Sequence, residues 1–416
     1  MTTAAFFTFF LAAAAGAPVF SIIAALTFFL FLTSGIDISA PIVEFMRLQS
    51  MPSLISIPLF TFSGYVLAAS KAPMRMLSLS RALFGSFTGG IAASCLTAAA
   101  LFTAFTGASG ITIIALGGLI YPILKAQKYD DNFSLGLVAS TGSLGLLFPP
   151  SLPIILYAIV GKLDLSLLFK KALIPGILLM AILYIYSWFK SKKADIKPTK
   201  INAEEIYISS KDALWEIPLP FIIIFGIYGG YFTASEAASV MAFYVIIVEC
   251  FIKKEISFFK DLPDIALKSL ELVGAIFAVL GTALGFTSYI IDAQIPDKIF
   301  SLIHYYIPGK FLFLIFLNIF ILLINMIEIF SAIVIIVPII VPVALNYGID
   351  PLHLGIIFLV NLELGYMTPP LGINLFLASG RFKKNLTEIY KAVMPFWIIT
   401  ACVLILITYF PYLLGI

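Results

Sequence analysis

Gly145-Leu-Leu-Phe-Pro149-Pro150 is a helix-breaking stretch inside a long apolar segment, and Gly365-Tyr-Met-Thr-Pro369-Pro370 repeats its pattern in the second half of the chain. A proline removes a helical N–H and clashes with the carbonyl one turn earlier, so two prolines after a glycine unwind a helix. Inside a bilayer, unwound backbone persists only where it is buried in protein or lines a cavity. Paired interruptions at matching positions of two halves indicate the binding site of a membrane carrier.

The composition is that of an integral membrane protein. Of the 416 residues, 61% are apolar and only 11% are charged, whereas soluble domains carry about 25% charged residues. The apolar runs have the length of helices, which predicts an all-α fold and argues against an outer-membrane barrel. The first apolar run has no charged segment before it, so we expect a retained span and not a signal peptide. The net charge of +3 gives no indication of nucleic-acid binding.

Two kinds of apolar segment follow one another along the chain. Full crossings are predicted at about 5–32, 54–71, 132–160, 166–188, 215–232, 236–252, 273–290, 353–380 and 392–412. The segments 90–125 and 310–346 are different because each is two short helices long with a polar or small-residue centre. Both are predicted to be re-entrant hairpins, and two ordinary spans each is the alternative.

The sequence matches itself when it is shifted by the distance between Gly145 and Gly365. The shift places four prolines of the first half on four of the second: Pro122, Pro149, Pro150 and Pro175 on Pro342, Pro369, Pro370 and Pro395. This predicts a first repeat at 1–188, with its hairpin at 90–125 and its broken helix at 132–160. A linker and an extra span follow at 189–235, and a second repeat covers 236–416, with its hairpin at 310–346 and its broken helix at 353–380. The extra span makes the number of membrane crossings between equivalent points of the two repeats odd, so the repeats are expected to have inverted orientations in the membrane.

Basic residues predict the orientation in the membrane. On this topology six of the 25 lie on one face (Arg47, Lys162, Lys170, Lys171, Lys298 and Lys310), which leaves 19 on the other. By the positive-inside rule the richer face is cytoplasmic, so the N-terminus is expected inside and the C-terminus outside.

The two breaks predict a cation site and an anion site in one fold. An interrupted helix exposes carbonyls at the end of its first half and N–H groups at the start of its second, here at Ser151 and Leu371. Oxygen ligands from a hairpin tip and a break suit sodium. The first set of candidates is Thr106, Ser109, Gly142, Gly145 and Phe148; the second is Glu328, Ser331, Gly365, Met367 and Thr368. Candidates for contact with a carboxylate substrate are Thr112, Pro150, Ser151, Asn325, Pro370 and Asn374.

Several of these side chains have a structural alternative. Thr112 and Ser331 could equally bond back to a helix, Asn374 could bond across helices, and Glu328 could be held protonated or bonded to a neighbouring amide. We expect scaffold roles for Glu236 and Glu363, and helix N-caps at Asp130 and Asp350.

The motifs of common enzyme classes do not occur in the sequence. It contains no GxxxxGK[ST] phosphate loop and no HExxH metal motif, and its two histidines are far apart. We therefore expect a non-enzyme with no cofactor besides sodium as a coupling ion.

Several motifs resemble those of one family, the large membrane subunits (DctM type) of tripartite ATP-independent periplasmic (TRAP) transporters. The resemblance covers nearly the whole chain and rests on the following segments: 57–64, 85–90, Thr106-Gly-Ala-Ser-Gly-Ile-Thr112, 142–151, 232–238 and Asn361-Leu-Glu-Leu-Gly-Tyr-Met-Thr-Pro-Pro-Leu-Gly-Ile-Asn-Leu-Phe376. Two hairpin tips depart from the family pattern: Ala108 replaces a usual serine, and Ile329 and Phe330 stand where hydroxyl residues are common.

The resemblance implies a sodium-driven importer of organic acids in a bacterial inner membrane that works by an elevator movement of the hairpins and broken helices. It also implies two protein partners, a small membrane subunit of about four spans and a periplasmic substrate-binding protein. Two other functions stay open: a stand-alone sodium/anion symporter of the same build, and a channel or assembly scaffold.

Overall fold

The computed structural model describes residues 8, 11–12, 15–196, 198, 202–325 and 329–413, and within these ranges every regular element is a helix. We number the α-helices in chain order: α1 Val19–Thr33, α2 Ser39–Met46, α3 Ser56–Ala69, α4 Ala72–Phe84, α5 Gly90–Thr106, α6 Ser109–Ala115, α7 Gly117–Ala126, α8 Asp131–Leu144, α9 Leu152–Val160, α10 Leu165–Lys193, α11 Ala203–Asp212, α12 Pro218–Tyr228, α13 Ala234–Ile246, α14 Asp261–Asp292, α15 Ile295–Tyr306, α16 Lys310–Asn325, α17 Ile329–Asn346, α18 Pro351–Tyr366, α19 Ile373–Phe382 and α20 Leu386–Leu413. The predicted all-α membrane fold is confirmed.

Six helical segments of the described chain are long and apolar enough to cross a bilayer. The number of possible spans rises to nine if each of three bent pairs of helices is counted as one span. The six are 52–69, 165–193, 234–252, 261–292, 329–346 and 386–411. The predicted first crossing at 5–32 is wrong as a single helix, because a turn at Ala15–Gly16 and Pro18 precede α1. Pro18 stands directly before the first residue of α1, where the missing N–H of a proline leaves no helical hydrogen bond unmade.

The structure contains short helices that the hydropathy of the sequence did not predict. Helices α4 and α15 lie immediately before the two hairpins, and α11 lies in the linker. Hydropathy misses such helices because they are too short or too polar to resemble a span. Helix α4 contacts both α5 of the first hairpin and α11 of the linker.

The helix boundaries repeat at the offset that the sequence predicted, the one between Gly145 and Gly365. The starts of α5 and α16 are separated by this offset, as are the ends of α7 and α17, the starts of α8 and α18, and the ends of α10 and α20. The helices of the two predicted repeats therefore follow one another at matching positions. The division into repeats, their inverted orientation and the re-entrant course of the two hairpins stay predictions.

Local capping confirms the scaffold roles of three acidic residues. Asp130 accepts a hydrogen bond from the Phe133 N–H at 3.2 Å, and Asp350 accepts one from the Leu352 N–H at 3.3 Å, so both are N-caps. Glu236 forms a capping box with Thr233 at the start of α13. Glu363 is buried in α18 with one carboxyl oxygen that has no hydrogen-bond partner in the described chain, and its scaffold role stays a prediction.

Candidate membrane site at the two helix breaks

The tip of the first hairpin, residues 106–109, lies against the first helix break. Gly107 adopts a φ of +64° at the turn between α5 and α6, a conformation that favours glycine. A Cβ atom at Gly107 would lie 2.5 Å from Leu152 Cγ, in the first turn of α9. A Cβ atom at Gly142 would lie 3.3 Å from the Ser109 carbonyl oxygen. The structure thus brings the predicted tip and the predicted break into direct contact.

A third contact comes from α3. A Cβ atom at Gly64 would lie 2.5 Å from both the Phe105 carbonyl oxygen and Thr106 Cα, so only glycine lets this helix approach the tip so closely. The tip residues are enclosed as a result: Thr106 is fully buried and Ser109 is only 3% exposed.

Hydroxyl groups next to the tip form a small buried network. The hydroxyls of Thr103 and Thr112 are 2.7 Å apart, and the Thr103 hydroxyl lies 3.1 Å from the Gly142 carbonyl, to which it donates. Thr112 is thus held inside the protein by a hydrogen bond, and its predicted substrate contact stays a prediction. Thr103 was not among the predicted site residues. The sequence offered one signal, since Thr103 lies one helical turn before the Thr106-Gly107 tip.

The first break itself is a short irregular segment. Gly145–Leu147 form one 3₁₀ turn, Phe148 is extended, and the Pro149–Pro150 peptide bond is cis. The two half-helices α8 and α9 are bent by 43°. Ser151 is the N-cap of α9, as predicted, but its hydroxyl makes no capping bond. That hydroxyl is fully buried and has no hydrogen-bond partner within the described chain.

The second break differs from the first in its helix ends and in its chemistry. Helix α18 ends at Tyr366, the Pro369–Pro370 bond is cis, and α19 begins only at Ile373 with Gly372 as its N-cap. The predicted start of this half-helix at Leu371 is therefore wrong. Leu371 is 52% exposed in a turn, and the Gly372 N–H instead bonds to the Thr368 carbonyl at 2.9 Å.

Thr368 is hydrogen-bonded on both sides at the second break. Its hydroxyl donates to the Leu364 carbonyl at 2.7 Å and accepts from the Trp397 indole N–H at 2.9 Å. Trp397 was not predicted as part of the site, since it lies 29 residues further along the chain in α20. Met367, another sodium candidate, is fully buried.

The two breaks also contact each other's repeats. Helix α19 packs against α6 and α8, and α9 packs against α17. Asn374 carries the contact between α19 and α8, because its amide donates to the Ala139 carbonyl and to the Ser143 hydroxyl, each at 3.0 Å. Since a carbonyl can only accept, the bond to Ala139 fixes which way the amide faces. The amide oxygen of Asn374 is buried without a partner in the described chain.

Part of the predicted second hairpin tip cannot be compared with the structure. Glu328 and the side chain of Asn325 lie outside the described residues. Ser331 lies in the first turn of α17 and is buried. The predicted ligand roles at both breaks stay predictions.

Comparison with known proteins identifies the family. A family model described as "Tripartite ATP-independent periplasmic transporter, DctM component" matches residues 6–413. The chain belongs to this family. The resemblance stated from the motifs is thereby confirmed.

Relatives of this DctM component are transporter permeases. The chain is 34% identical over 362 residues to the C4-dicarboxylate TRAP transporter large permease protein DctM of Pseudomonas aeruginosa, and the match covers 86% of this chain and 84% of that one. It is 30% identical to the protein of the same name from Rhodobacter capsulatus, covering 92% and 90%. It is 32% identical to the isethionate TRAP transporter permease protein DctMQ of Oleidesulfovibrio alaskensis. That match covers 89% of this chain but only 58% of the relative's length.

A solved structure has the same fold. The Alcanivorax borkumensis YdaH transporter, described as having an unusual topology, matches with a TM-score of 0.64 over 90% of this chain and 88% of that one, at 11% identity. At that identity the match concerns the fold alone. The DctM component described here is therefore a multi-pass membrane permease of the TRAP family, and its permease relatives agree with the expectation of a non-enzyme.

Proposed function

We propose that this DctM component is the permease subunit of a sodium-coupled, binding-protein-dependent importer of organic acids. The observation that carries the proposal is the start of α9. There the buried Ser151 hydroxyl has no partner in the described chain and stands at the positive end of a half-helix inside a membrane protein. A buried polar group without a partner is costly, so a ligand oxygen that occupies this position is favoured.

The anion is an organic acid. A carboxylate accepts hydrogen bonds from a hydroxyl and from the free N–H groups of a half-helix. The names of the relatives agree in chemical class, because C4-dicarboxylates and isethionate are both organic anions. Pro150, Thr112, Asn325, Pro370 and Asn374 are the further candidates for contact with the substrate.

The cation is sodium, bound by oxygen atoms at the breaks. A small hard cation prefers carbonyl and hydroxyl ligands, and the first break offers carbonyls from Gly142, Gly145 and Phe148 beside the tip hydroxyls of Thr106 and Ser109. Gly365, Met367, Thr368, Ser331 and Glu328 are the candidates for a second site. The two sites are unequal, since the Thr368 hydroxyl of the second break is bonded to Leu364 and Trp397, whereas the Gly142 carbonyl of the first break is bonded to Thr103 in α5.

The transport movement is an elevator motion of the hairpins with the broken helices. Helix α8 contacts α5, α6 and α19, and α6 contacts α5 and α19, which supports the movement of these four helices as one body. In this proposal the protein lies in the inner membrane with its N-terminus in the cytoplasm. Its partners are a small four-span membrane subunit and a periplasmic substrate-binding protein.

The test is uptake of labelled C4-dicarboxylate or isethionate into proteoliposomes that contain the permease, its small subunit and its binding protein. We expect uptake only with an inward sodium gradient. Ser151→Ala should raise the substrate KM about tenfold or more, since a hydrogen bond to a charged group contributes about 1.5–3 kcal/mol. Ser187→Ala is the matched control, because that buried serine only bonds back to Leu183 in its own helix.

Four results would count against the proposal. Uptake that does not depend on the sodium gradient would contradict sodium coupling. An unchanged KM in Ser151→Ala would contradict the anion site at the start of α9. Full activity of the permease without a binding protein favours the stand-alone symporter, and equilibration without accumulation favours a channel.

A further inference from the structure

A buried ionic cluster ties α4 to the beginning of α12 and the end of the α13 span. Arg75 of α4 contacts three carboxylates: its Nη2 lies 3.0 Å from Glu249, its Nη1 2.6 Å from Glu255, and its Nε 2.6 Å from Glu216. The side chains of Arg75, Glu216 and Glu249 are 10%, 3% and 0% exposed. We call these four residues the Arg75 cluster.

The Arg75 cluster carries more negative charge than positive charge. One guanidinium faces three carboxylates, and no second Lys or Arg forms an ion pair with them in the described part of the chain. Burial alone favours the neutral form of Arg75, but the hydrogen bond of Glu216 and the charges of all three carboxylates outweigh it, so the pKa of Arg75 is raised. The excess charge remains, and a buried unpaired carboxylate is unfavourable.

Two carboxylate oxygens of the Arg75 cluster, Glu216 Oε2 and Glu249 Oε2, are buried with no hydrogen-bond partner among the described residues. Glu216 is the one of these two residues that lines a groove, and its Oε1 binds Arg75. A carboxylate oxygen in this position accepts a hydrogen bond from a cationic donor. The missing partner is therefore a cation with N–H groups.

A groove opens beside Glu216 and is mostly apolar along the rest of its length, where Ser80 and Ser210 are its other polar residues. Its volume is about 300 Å³, which equals about ten water molecules. Its walls come from α4, α5, α11 and α12, with the apolar side chains of Met76, Leu79, Leu83, Leu101 and Phe221. Glu216 stands two residues before α12, so the charged end of the groove lies at a helix end and the apolar part extends along the helices.

We propose that this groove binds a membrane phospholipid with a primary ammonium headgroup, with the ammonium on Glu216 and the start of an acyl chain against Leu101 and Phe221. The charge of the cluster selects a cationic group, and the long apolar wall selects a hydrocarbon chain over a peptide. A primary ammonium has N–H donors for the Glu216 oxygen, whereas a quaternary ammonium has none. The site therefore distinguishes phosphatidylethanolamine from phosphatidylcholine.

The experiment adds lipids of identical acyl chains to the delipidated, detergent-purified protein and measures retained lipid by native mass spectrometry and the shift in Tm. We expect phosphatidylethanolamine to be retained and to raise Tm. Phosphatidylcholine and phosphatidylglycerol should bind at least tenfold more weakly. Glu216→Gln should abolish the preference while keeping an oxygen that accepts from Arg75.

Two further variants separate lipid binding from folding. Leu83→Trp fills the groove from a position that is already 46% exposed, leaves the Arg75 cluster intact, and should also abolish retention. Glu205→Gln is the control, because Glu205 is exposed and the substitution removes the same charge at a position outside the groove. This variant should bind the lipids as the wild type does.

Either of two results overturns the proposal: equal response to the three lipids, or undiminished phosphatidylethanolamine binding in both Glu216→Gln and Leu83→Trp. A Tm shift that requires an added protein and not a lipid means that a basic side chain of a protein partner meets the charge, which also overturns it. None of these readouts depends on sodium coupling or substrate transport.

Discussion

Replacement of Gly145 by alanine tests whether the first break and the first hairpin have to touch. A methyl group at Gly145 would lie 2.6 Å from the Ala104 backbone N and 2.5 Å from Thr103 Cβ, and it would also overlap the Ala100 carbonyl. Ordinary contacts begin near 3.4 Å, so α5 and the break have to separate by more than about 0.9 Å, because the contact with Thr103 Cβ alone is 0.9 Å too short (3.4 minus 2.5 Å) and the Ala100 carbonyl is closer still. Two of the three neighbours are backbone atoms, so a change of rotamer cannot relieve the clash.

The expected effect follows from that displacement. Overpacking of a close-packed interior costs about 1–3 kcal/mol, and sodium ligands on the two elements would no longer be correctly spaced. We expect Gly145→Ala to raise the sodium concentration for half-maximal uptake by about tenfold, since each 1.4 kcal/mol is a factor of ten. Sodium-dependent uptake in proteoliposomes and the thermal unfolding of the purified protein are the two measurements.

The matched control is Gly380→Ala in α19. A Cβ atom at Gly380 meets nothing within 4 Å, so alanine there should leave uptake unchanged and stabilise the helix by about 0.5–1 kcal/mol. If Gly145→Ala showed the sodium dependence and Tm of the wild type, the argument that the tip and the break form one rigid site would be refuted. Equal losses in both variants would indicate a general sensitivity of the moving helices.

Three further predictions concern side-chain contacts. Asn374→Leu removes both hydrogen bonds from α19 to α8, takes their cross-helix donor away from the Ala139 carbonyl and the Ser143 hydroxyl, and should lower stability by about 1–3 kcal/mol in thermal unfolding and slow uptake. Unchanged values would mean that this contact between the two halves of the chain is not needed. Arg75→Met leaves three carboxylates without their cationic partner and should destabilise the protein by about 3–5 kcal/mol. Arg47→Met, at an exposed i,i+3 ion pair, should cost less than about 1 kcal/mol. Similar Tm values for the two variants would contradict the argument that the Arg75 cluster is buried. Trp397→Phe removes the donor to Thr368 and should change sodium dependence more than stability, and an effect on Tm alone would assign the bond to folding.

Local chemistry explains why the helix ends could be predicted. Pro149 and Pro369 prevent a continuous helix whatever surrounds them, and Asp130 caps its helix through a bond to a residue three positions away. The start of the second half-helix could not be placed as well. The N–H of Gly372 bonds back to Thr368 and delays α19 by two residues relative to Leu371.

The membership of the site depends on contacts between distant parts of the chain. Asn374 bonds to Ala139 and Ser143, 235 and 231 residues away, and Trp397 reaches Thr368 only because α20 packs beside α18. A hydroxyl or amide in a membrane helix can bond to its own backbone or to a neighbour, and the sequence does not distinguish the two. The alternatives for Thr112 and Asn374 therefore stayed open until the packing of the helices was known.

The amino-acid sequence by itself determined that this is an all-helical membrane protein with two broken helices, a repeat that carries Gly145 onto Gly365 and the motifs of the DctM family. It could do so because hydropathy, proline and glycine act over a short stretch of chain. Only the tertiary structure decided that the Gly107 turn meets Leu152, that Thr103 joins Thr112 at Gly142, and that the Arg75 cluster holds excess negative charge beside an apolar groove. These features depend on which helices become neighbours, and that is decided by packing over the whole chain.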